Sequence, residues 1–517
     1  MTEPLDSGHV GAVARQRGSA PAIIMAADGT TVTYADLDRR STQFARLLDD
    51  SGLGVGDHVA LVMANDPQFL EVCWGALRSG RYCTPINPRS TPAELDYLVR
   101  DCGAAIVVAA APAAERVRDV AKAVRGVRRV LAVNAAIPGV EDYEAVLSAT
   151  SSEPLADETE GSMLLYSSGT TGRPKGIERP LSGLPPGSTN PLAAYMERVQ
   201  FGPDTVFFSA GPLYHAAPVG WSLSAQRAGG CVVLPARFDA EQMLAAIERY
   251  QVTHAQLVPT MMLRLLRLPV EVRNRYDVSS VQRIVHAAAP CPAHVKQGMI
   301  DWFGPIIDEY YAGTEGIGAT YVTSAEWLAR PGTVGKPISG EVSILDPVGQ
   351  PLGPGDIGTI YFAPLSPYHY RNDAAATAAR VRSDGLATLD DVGYVDDDGY
   401  LYLTDRRTYM IVVGGVNIYP REVEDALLSH PAVADVAVIG VPDEEYGEAV
   451  KAVVQLEPDA DDDLALELQT HCRSLLSAIK CPRSIDFVAE LPRTETGKLR
   501  KGPLREQYWA GHANRIV

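Results

Sequence analysis

The sequence predicts an α/β protein in which a large N-terminal domain of layered α/β subdomains, with a small β subdomain, is followed by a small α+β C-terminal domain. Helix and strand patterns alternate over residues 31–110 and again through the middle of the chain. Short β segments replace this alternation over residues 333–403, and a separate α+β pattern follows. Such alternation is typical of a layered sheet, and 517 residues exceed the size of one ordinary core.

The first alternation is predicted from the spacing of apolar residues and from the residues that end each segment. The segment "TYADLDRRSTQFARLLDDSG" has apolar residues at helical spacing and ends at Gly52, which suits the left-handed backbone at a helix end. The segments that follow alternate between strand and helix patterns: "DHVALVM", "PQFLEVCWGALRSG", "YCTPIN", "TPAELDYLVRDCG" and "AAIVVAAA". The middle of the chain continues with "DTVFFSAG", "GGCVVLP", "AEQMLAAIERYQV" and "THAQLVP".

The pattern of the sequence changes after residue 333, from alternating helices and strands to short β segments. Segments such as "GEVSILDPVGQPLGPGDIGTIYFAP" predict a small β subdomain or a barrel-like closure. We place a domain boundary at Asp405, which gives an N-terminal domain of residues 1–404 and a C-terminal domain of residues 405–517. In the second domain a helix is expected at "YPREVEDALLSH", with a proline in its first turn and an apolar stripe formed by Val423, Ala426 and Leu427.

The bulk composition excludes several classes of protein. A formal net charge of −18 and a pI near 5.0 argue against nucleic acid or an anionic membrane as a main partner. Seven scattered cysteines without a CxxC pair predict reduced thiols in a cytoplasmic protein rather than a disulfide framework or a metal site. The N-terminus lacks a signal-peptide pattern, and no apolar run reaches the ~18 residues of a membrane span. An acidic chain that handles anions must concentrate positive charge locally.

The stretch "YSSGTTGRPKG", Tyr166 to Gly176, predicts a polyphosphate site. Small residues let backbone N–H groups approach phosphate oxygens, hydroxyls donate hydrogen bonds, and a lysine offsets the charge. The alternative is a flexible linker, but a linker does not need Pro174 and Lys175 in fixed order between apolar segments. A Walker A loop is excluded because it needs GxxxxGK followed by Ser or Thr, whereas Lys175 follows Pro174 and precedes Gly176. The candidate phosphate-binding residues are Ser167, Ser168, Gly169, Thr170, Thr171, Gly172 and Lys175.

Further motifs follow in order along the chain: "YYAGTEG" (310–316), "LDDVGYVDDDGYLYLTDR" (389–406), "GGVNIYPREVE" (414–424) and "LPRTETGKLRK" (491–501). Together with the first motif they resemble the signatures of the acyl-adenylate-forming superfamily, in its acyl-CoA synthetase and aryl-CoA ligase branch. The resemblance covers essentially the whole chain. It implies that ATP activates a carboxylic acid as an acyl-adenylate, with release of pyrophosphate, and that CoA then displaces AMP; Mg²⁺ is the implied metal.

The resemblance also implies roles for individual residues in the adenylation site. Tyr311 would stack on adenine, Thr314 would contact phosphate as a catalytic residue, and Glu315 would be both catalytic and the ligand of Mg²⁺. Asp391 would accept hydrogen bonds from the ribose hydroxyls, and Arg406 would contact ribose or phosphate. Without the resemblance, Tyr311 alone predicts a core residue and Glu315 a surface carboxylate.

Other implied roles belong to the C-terminal part. Asp405 matches the hinge about which the small domain turns, which makes that domain mobile. Lys498 matches the catalytic lysine that bridges the carboxylate and the α-phosphate. Gly414 and Gly415 would line the path of the CoA thiol arm, although a tight turn before the next helix is an equal explanation.

Two positions depart from the usual family pattern. Ala312 and Asp390 each stand where the family commonly has glycine. The neighbouring carboxylates Asp390 and Asp391 are expected to point in opposite directions along a strand.

The pocket for the acid is predicted from small residues and from an absence of charge. His215 matches a gate residue at the mouth of the acyl pocket, and residues 209–222 contain no acid, which disfavours an α-amino acid substrate. An aliphatic, aryl or polycyclic carboxylate fits better, although small residues also serve tight packing. The candidate pocket residues are His215, Ala216, Ala288, Gly313 and Gly316.

The acceptor of the acyl group remains open between several alternatives. The sequence continues for only 19 residues after Lys498, so no carrier domain is expected in cis and free CoA is the first choice. A separate carrier protein, an amine, or activation of an unusual acid such as nitrite are the alternatives, and a homodimer is one possible assembly. An inactive binding protein of this fold is disfavoured, because Glu315 and Lys498 are both present.

Overall fold

A computed structural model gives the structure of the chain. It describes residues 8–167, 174–188, 190, 192–406, 409–413, 416–443, 446–458, 460, 464–494, 497 and 499–510. The side chains of residues 405, 406 and 417 lie outside the description as well. Within these ranges, none of the helices combines the length and the apolar character needed to cross a bilayer.

The first region is an open sheet covered by helices. All six of its strands run parallel, and the strand order is β7-β6-β5-β3-β4-β8. The central strand "HVALV" is buried along its whole length, as expected when helices cover both faces. In chain order the elements are α1 (Val10–Arg17), β1 (Pro21–Met25), β2 (Thr31–Thr33), α2 (Tyr34–Asp50), β3 (His58–Val62), α3 (Pro67–Leu77), β4 (Tyr82–Ile86), α4 (Pro92–Cys102), β5 (Ala104–Ala110), α5 (Ala113–Ala123), β6 (Arg129–Val133), β7 (Glu141–Asp142), α6 (Tyr143–Ala149) and β8 (Ser162–Met163).

The middle region contributes parallel strands to a second, larger sheet. Strands β12, β11, β13, β14 and β15 lie side by side in parallel, and β1 extends them. The elements are β9 (Leu165–Ser167), β10 (Lys175–Glu178), α7 (Ala193–Val199), β11 (Val206–Ser209), α8 (Ala216–Arg227), β12 (Cys231–Leu234), α9 (Ala240–Tyr250), β13 (His254–Leu257), α10 (Pro259–Leu266), α11 (Val270–Arg273), β14 (Arg283–His286), α12 (Ala293–Phe303), β15 (Ile307–Ala312), β16 (Ala319–Val322) and α13 (Ser324–Ala329).

The predicted β subdomain forms, but as a continuation of that sheet rather than as a barrel. Its elements are β17 (Thr333–Ser339), β18 (Glu341–Leu345), β19 (Gly358–Ala363), β20 (His369–Tyr370), α14 (Ala374–Arg380), β21 (Ala387–Val395) and β22 (Leu401–Arg406). Strand β17 pairs with β16 on one side and with β22 on the other, so the described strands form an open path β18-β19-β21-β22-β17-β16 within a 13-stranded sheet. Strand β20 leaves this path and pairs with β10.

The C-terminal region has its own sheet and core. Its elements are β23 (Ile411–Val413), β24 (Val416–Ile418), α15 (Pro420–Leu428), β25 (Val433–Asp443), β26 (Gly447–Leu456), α16 (Ala465–Leu475), β27 (Ser484–Phe487) and α17 (Lys501–Trp509). The strand order is β24-β23-β26-β25, with β27 parallel to β26. Pro420 occupies the first turn of α15 and the predicted stripe Val423, Ala426 and Leu427 is buried, as the sequence predicts. The α/β fold class is therefore confirmed.

Two local expectations have different outcomes. All seven cysteines are free thiols, and six of them are buried, which agrees with the reduced state that their scatter predicts. Glycine ends α4 in left-handed backbone at Gly103, whereas α7 and α9 end on the left-handed residues Gln200 and Gln251. A non-glycine residue in that conformation carries a steric cost, so the preference for glycine at helix ends is not absolute.

Candidate active site

The first predicted motif enters and leaves a small three-stranded sheet, β20-β10-β9. Ser167 ends β9 directly opposite Lys175, which begins β10. The Lys175 ammonium lies 3.4 Å from a carboxylate oxygen of Asp373 and 5.2 Å from the centre of the Tyr370 ring. Lys175 therefore stands at the start of β10, beside the end of β9. Ser168, Gly169, Thr170, Thr171 and Gly172 lie outside the described residues.

The second motif forms the turn between β15 and β16. The carboxylate of Glu315 accepts a 2.7 Å hydrogen bond from the hydroxyl of Tyr370, which stands on β20 beside β10. Burial raises the pKa of the Tyr370 hydroxyl, and the charge of Glu315 adds to this effect. The turn is tight, since a Cβ at Gly313 would lie 2.5 Å from Leu389 and 2.8 Å from a carboxylate oxygen of Glu315. Tyr370 therefore fixes Glu315 next to the lysine of the first motif.

Arg179 reaches the same turn from the end of β10. Its guanidinium donates a 2.8 Å hydrogen bond to the carbonyl of Thr314, and a Cβ at Gly316, where φ is +65°, would lie 3.2 Å from its Cζ atom. Burial lowers the pKa of Arg179, and the charge of Glu315 opposes that shift. The predicted site residues Thr314, Glu315 and Gly316 thus surround a cation.

The two nucleotide-recognition motifs meet at Tyr311 and Asp391. The Tyr311 hydroxyl donates a 2.6 Å hydrogen bond to a carboxylate oxygen of Asp391, which is only 6% exposed. Tyr311 stands near the end of β15 and Asp391 lies in the middle of β21. A phenol and a carboxylate in this arrangement offer a ring face and a strong acceptor side by side, which suits a nucleoside.

The departures from the family pattern have separate explanations. Asp390 has φ +63°, a left-handed backbone in which glycine is the least strained residue and aspartate is tolerated. Its carboxylate pairs with Arg380 at 2.6 Å, whereas Asp391 faces Tyr311, so the two carboxylates serve different partners. Ala312 is exposed at the end of β15 and pairs with Ala319.

His215 stands at the beginning of α8. Burial lowers the pKa of its imidazole to about 4, and its Nε2 atom has no hydrogen-bond partner among the described residues. Further along the same helix, Trp221 donates a 3.1 Å hydrogen bond to the hydroxyl of Tyr310. This bond ties α8 to the strand that carries Tyr311, so His215 and Ala216 start a helix that is fixed to the nucleotide side of the site.

Ala288 lies in the loop that follows β14. Its backbone is left-handed, with φ +75°, and its side chain is exposed. Strand β14 is the parallel neighbour of β15, so this loop and the Gly313–Gly316 turn leave the sheet at the same edge.

The C-terminal region contacts the N-terminal region close to this edge. Gly497 has φ +77°, and a Cβ at this position would collide with the Thr260 side chain at the start of α10. Arg493 and Leu499 form an antiparallel bridge on either side of it. Lys498 itself lies outside the described residues, but its neighbour Gly497 packs against Thr260 of α10.

Two further contacts join the same two regions. The Arg267 guanidinium pairs with Glu457 at 2.5 Å, and Arg421 of α15 donates a 3.4 Å hydrogen bond to the carbonyl of Cys291. A cleft of about 240 Å³ remains between them, lined by residues of both, among them Thr260, Arg264, Asp435 and Arg493.

The remaining predicted positions are located only by their backbone or not at all. Asp405 and Arg406 are the last two residues of β22, opposite Val392 and Asp391 on β21, and their side chains lie outside the description. Gly414 and Gly415 lie outside the described residues. The hinge and the CoA path therefore stay predictions.

Sequence reasoning missed Tyr370 and Arg179. Arg179 lies only four residues after Lys175, so an extension of the first motif along β10 would have included it. Tyr370 is 55 residues from Glu315, and nothing in the local pattern "PYHYRN" indicates which partner its hydroxyl will find.

The site offers one carboxylate, that of Glu315, as a ligand for a metal ion. Among the described residues there is no group of three or more histidine, cysteine or acidic side chains placed to hold a metal ion. A single carboxylate, Glu315, is enough for Mg²⁺, which takes its other ligands from phosphate oxygens and water. Glu315 is therefore the side chain that would hold such an ion.

Comparison with known proteins agrees with this geometry. The family model "AMP-binding enzyme" matches residues 11–364, and the model "AMP-binding enzyme C-terminal domain" matches residues 422–498. Feruloyl-CoA synthase of Amycolatopsis sp is 34% identical over 96% of this chain and 98% of that protein. The medium/long-chain-fatty-acid–CoA ligase FadD8 of Mycobacterium tuberculosis is 30% identical over 100% and 92%.

The structural comparison points the same way. The crystal structure of ATP-bound MatB from Rhodopseudomonas palustris superposes with a TM-score of 0.84 and 28% identity, covering 98% of this chain and 100% of that one. One family model alone spans more than half of the chain, and the relatives match it from end to end. The chain belongs to the AMP-binding enzyme family.

Proposed function

We propose that the protein is an AMP-forming acid–thiol ligase that activates a carboxylic acid with ATP and transfers the acyl group to CoA. The observation that carries the proposal is the hydrogen bond between Tyr311 and Asp391, which joins two separate motifs into one nucleotide site next to Glu315. The acid–CoA ligase relatives support the same reaction.

In the first half-reaction a carboxylate oxygen of the acid attacks the α-phosphorus of ATP, and pyrophosphate leaves with the bonding electrons. Asp391 accepts hydrogen bonds from the ribose hydroxyls, and the Tyr311 ring covers adenine. The Thr314 side chain donates to the α-phosphate, and Lys175 faces the outer phosphates. The acid and the phosphate are both anions, so the main task of these residues is to hold them in line and to offset their repulsion.

Mg²⁺ fits the turn because Tyr370 holds one carboxylate oxygen of Glu315, and the carboxylate would serve as the protein ligand of the ion. When bound, the ion supplies positive charge to the phosphate oxygens. The role of the protein is to hold the Glu315 carboxylate in place, which the tight packing at Gly313 makes possible.

In the second half-reaction the CoA sulfur attacks the acyl carbonyl, and AMP leaves as its phosphate oxygen takes the electron pair. We propose that residues 405–517 turn about Asp405 between the two halves and that Gly414 and Gly415 then line the thiol arm. The Arg267–Glu457 pair that joins the two regions supports such a movement, because its side chains are 44% and 36% exposed and exposed pairs contribute at most about 1 kcal/mol.

The acid is proposed to be an apolar carboxylate, aliphatic or aryl. Burial keeps His215 neutral at physiological pH, and residues 209–222 carry no acid that would pair with an ammonium group. Both the feruloyl-CoA and the fatty-acid relatives accord with this class.

The test is to incubate the purified protein with ATP, Mg²⁺ and a panel of aryl, aliphatic and amino acids, and to measure AMP and pyrophosphate with and without CoA. Acid-dependent AMP formation that CoA accelerates, with a thioester product, is expected for apolar acids. AMP formation that CoA does not accelerate, but that an amine or a carrier protein does, would show that the acyl group is transferred to that acceptor instead of CoA. Absence of acid-dependent pyrophosphate release with every acid would reject the proposal.

A further inference from the structure

The reaction proposed above assigns no role to the guanidinium of Arg179. It follows β10 directly, and its side chain lies against the Thr314–Gly316 turn. The backbone of Gly316 passes so close to the guanidinium that a methyl group at this position would collide with it. The side chain is therefore part of the floor of the adenylation site and not a surface charge.

The position of Arg179 is fixed from two directions. Its own carbonyl accepts a 2.6 Å hydrogen bond from the hydroxyl of Tyr82, which belongs to the first sheet. Its guanidinium donates to the carbonyl of Thr314 at 2.8 Å. A cation held at both ends is already oriented before substrates bind, and pre-oriented charge is the most effective kind in catalysis.

The charge of Arg179 is not balanced by an ion pair. Across the described part of the chain, no carboxylate approaches its guanidinium within the 4.0 Å of a salt bridge, whereas the neighbouring Arg371 and Arg380 each pair with a carboxylate. Guanidinium has five N–H donors, and the Thr314 carbonyl takes one of them. A partly buried cation without a counter-ion is costly unless a ligand supplies the anion.

We propose that Arg179 is an anion-contacting residue of the adenylation site, in which its guanidinium, oriented by the Thr314 carbonyl, receives an anionic oxygen of the reactants. The two sources of that oxygen are the α-phosphate of the nucleotide and the carboxylate of the acid, since both must come together beside Thr314. The inference rests on the proposed adenylation reaction.

The physical reason for a second cation is the overall charge. The chain carries a formal net charge of −18, so its long-range field opposes the approach of two further anions. Lys175 at the outer phosphates is shared with Asp373. Arg179 is a second cation, in direct contact with the Thr314–Gly316 turn, and both of its hydrogen-bond contacts lie within the N-terminal region.

The experiment compares Arg179→Met and Arg179→Lys with the matched control Arg17→Met. Arg17 is also partly buried and also donates to a backbone carbonyl, that of Pro203 at 2.7 Å, but it lies at the end of α1 away from the site. Thermal unfolding reports any loss of fold, and the kinetics of acid-dependent pyrophosphate release separate kcat from the KM of ATP and of the acid. Calorimetry with AMP and with ATP measures nucleotide affinity directly.

We expect Arg179→Met to lower kcat/KM of adenylation by about 10- to 100-fold, which is the effect of one lost charge-assisted hydrogen bond. Arg179→Lys should recover part of this loss, and Arg17→Met should leave kcat/KM unchanged. Weaker binding of AMP and ATP at an unchanged KM of the acid assigns the contact to the α-phosphate. A raised KM of the acid at unchanged nucleotide affinity assigns it to the carboxylate.

The inference is overturned if Arg179→Met, folded as judged by its unfolding temperature, keeps nucleotide affinity, both KM values and kcat within twofold of Arg17→Met. It is equally overturned if Arg179→Lys fails to recover anything while both variants unfold early, because the role is then structural. A wild-type protein that binds ATP but releases no pyrophosphate with any acid would reject the proposed function instead, and the calorimetric comparison would then decide the inference alone.

Discussion

Tyr311 and Asp391 are 80 residues apart in sequence, yet the hydroxyl of one donates a 2.6 Å hydrogen bond to the carboxylate of the other. Strand β15 supplies the tyrosine and strand β21 supplies the aspartate. The bond orients a carboxylate that is otherwise nearly enclosed, and it does so from the residue proposed to stack on adenine. The proposed nucleotide site is therefore built by the contact of two strands.

Removal of that bond is expected to weaken nucleotide binding. Tyr311→Phe keeps the ring but removes the Tyr311 hydroxyl as a donor to Asp391, and a hydrogen bond to a charged group is worth about 1.5–3 kcal/mol. We expect the Kd of AMP and ATP to rise roughly 10-fold or more, measured by calorimetry. The control is Tyr402→Phe, which removes a 3.3 Å hydrogen bond to Asp396 outside the site. Equal affinities of the two variants would contradict the assignment.

Loss of Lys498 is expected to stop adenylation while the fold survives. A cation that bridges two approaching anions contributes about 3 kcal/mol to the transition state, so Lys498→Ala should lower acid-dependent pyrophosphate release by roughly 100-fold or more. Thioester formation from a preformed acyl-adenylate should be retained. Lys480→Ala, which removes a 2.7 Å ion pair with Glu422 in the same domain, is the control. Near-normal pyrophosphate release by folded Lys498→Ala would contradict a catalytic role of Lys498 in adenylation.

The ion pair between Arg267 and Glu457 is expected to favour the arrangement of the two regions seen in this structure. Both side chains are about 40% exposed, so charge reversal in Arg267→Glu should cost at most about 1 kcal/mol and slow adenylation up to about fivefold. The doubly reversed protein, Arg267→Glu with Glu457→Arg, should regain the rate, and added salt should diminish all the differences. No recovery in the double variant would argue against the pair.

Acidification is expected to destabilise the protein between about pH 6.5 and 4. Burial lowers the pKa of His286 to about 4, with the charge of Lys296 contributing in the same direction. His9, at about 3, and His58, at about 4, are lowered by burial as well. Below its unfolded pKa each histidine binds a proton only in the unfolded state, so stability is fully present above about pH 6.5 and is lost as the pH falls.

The size of the effect is about 1.4 kcal/mol per pH unit for each such histidine. In denaturant titrations at several pH values, His286→Gln should therefore reduce the slope of the unfolding free energy against pH by about 1.4 kcal/mol per pH unit, which corresponds to one proton. This reduction is expected whatever the overall stability of the variant. His369→Gln removes a histidine that is 51% exposed and serves as the control. An unchanged slope in His286→Gln would show that this histidine is not kept neutral by burial.

Several features of the site follow from local sequence. The glycine-rich motif lies at the end of a strand because apolar residues precede and follow it, and the α15 helix begins at Pro420 with the predicted stripe buried. Asp390 and Asp391 have different partners, Arg380 and Tyr311, in agreement with the prediction that the two carboxylates point apart. The left-handed backbone at Asp390 was not predictable. The sequence alone does not show whether the backbone keeps a glycine-like conformation when aspartate stands at this position.

The sequence by itself determined the fold class, the order of the motifs and the kinds of chemical group they bring, because apolar periodicity and glycine placement are local properties. Only the tertiary structure decided which groups meet: Tyr370 with Glu315, Tyr311 with Asp391, and Arg179 with the Thr314 carbonyl. These pairs are 55, 80 and 135 residues apart. Their contacts depend on strand pairing and register, which are set by the packing of the whole sheet and not by any segment alone.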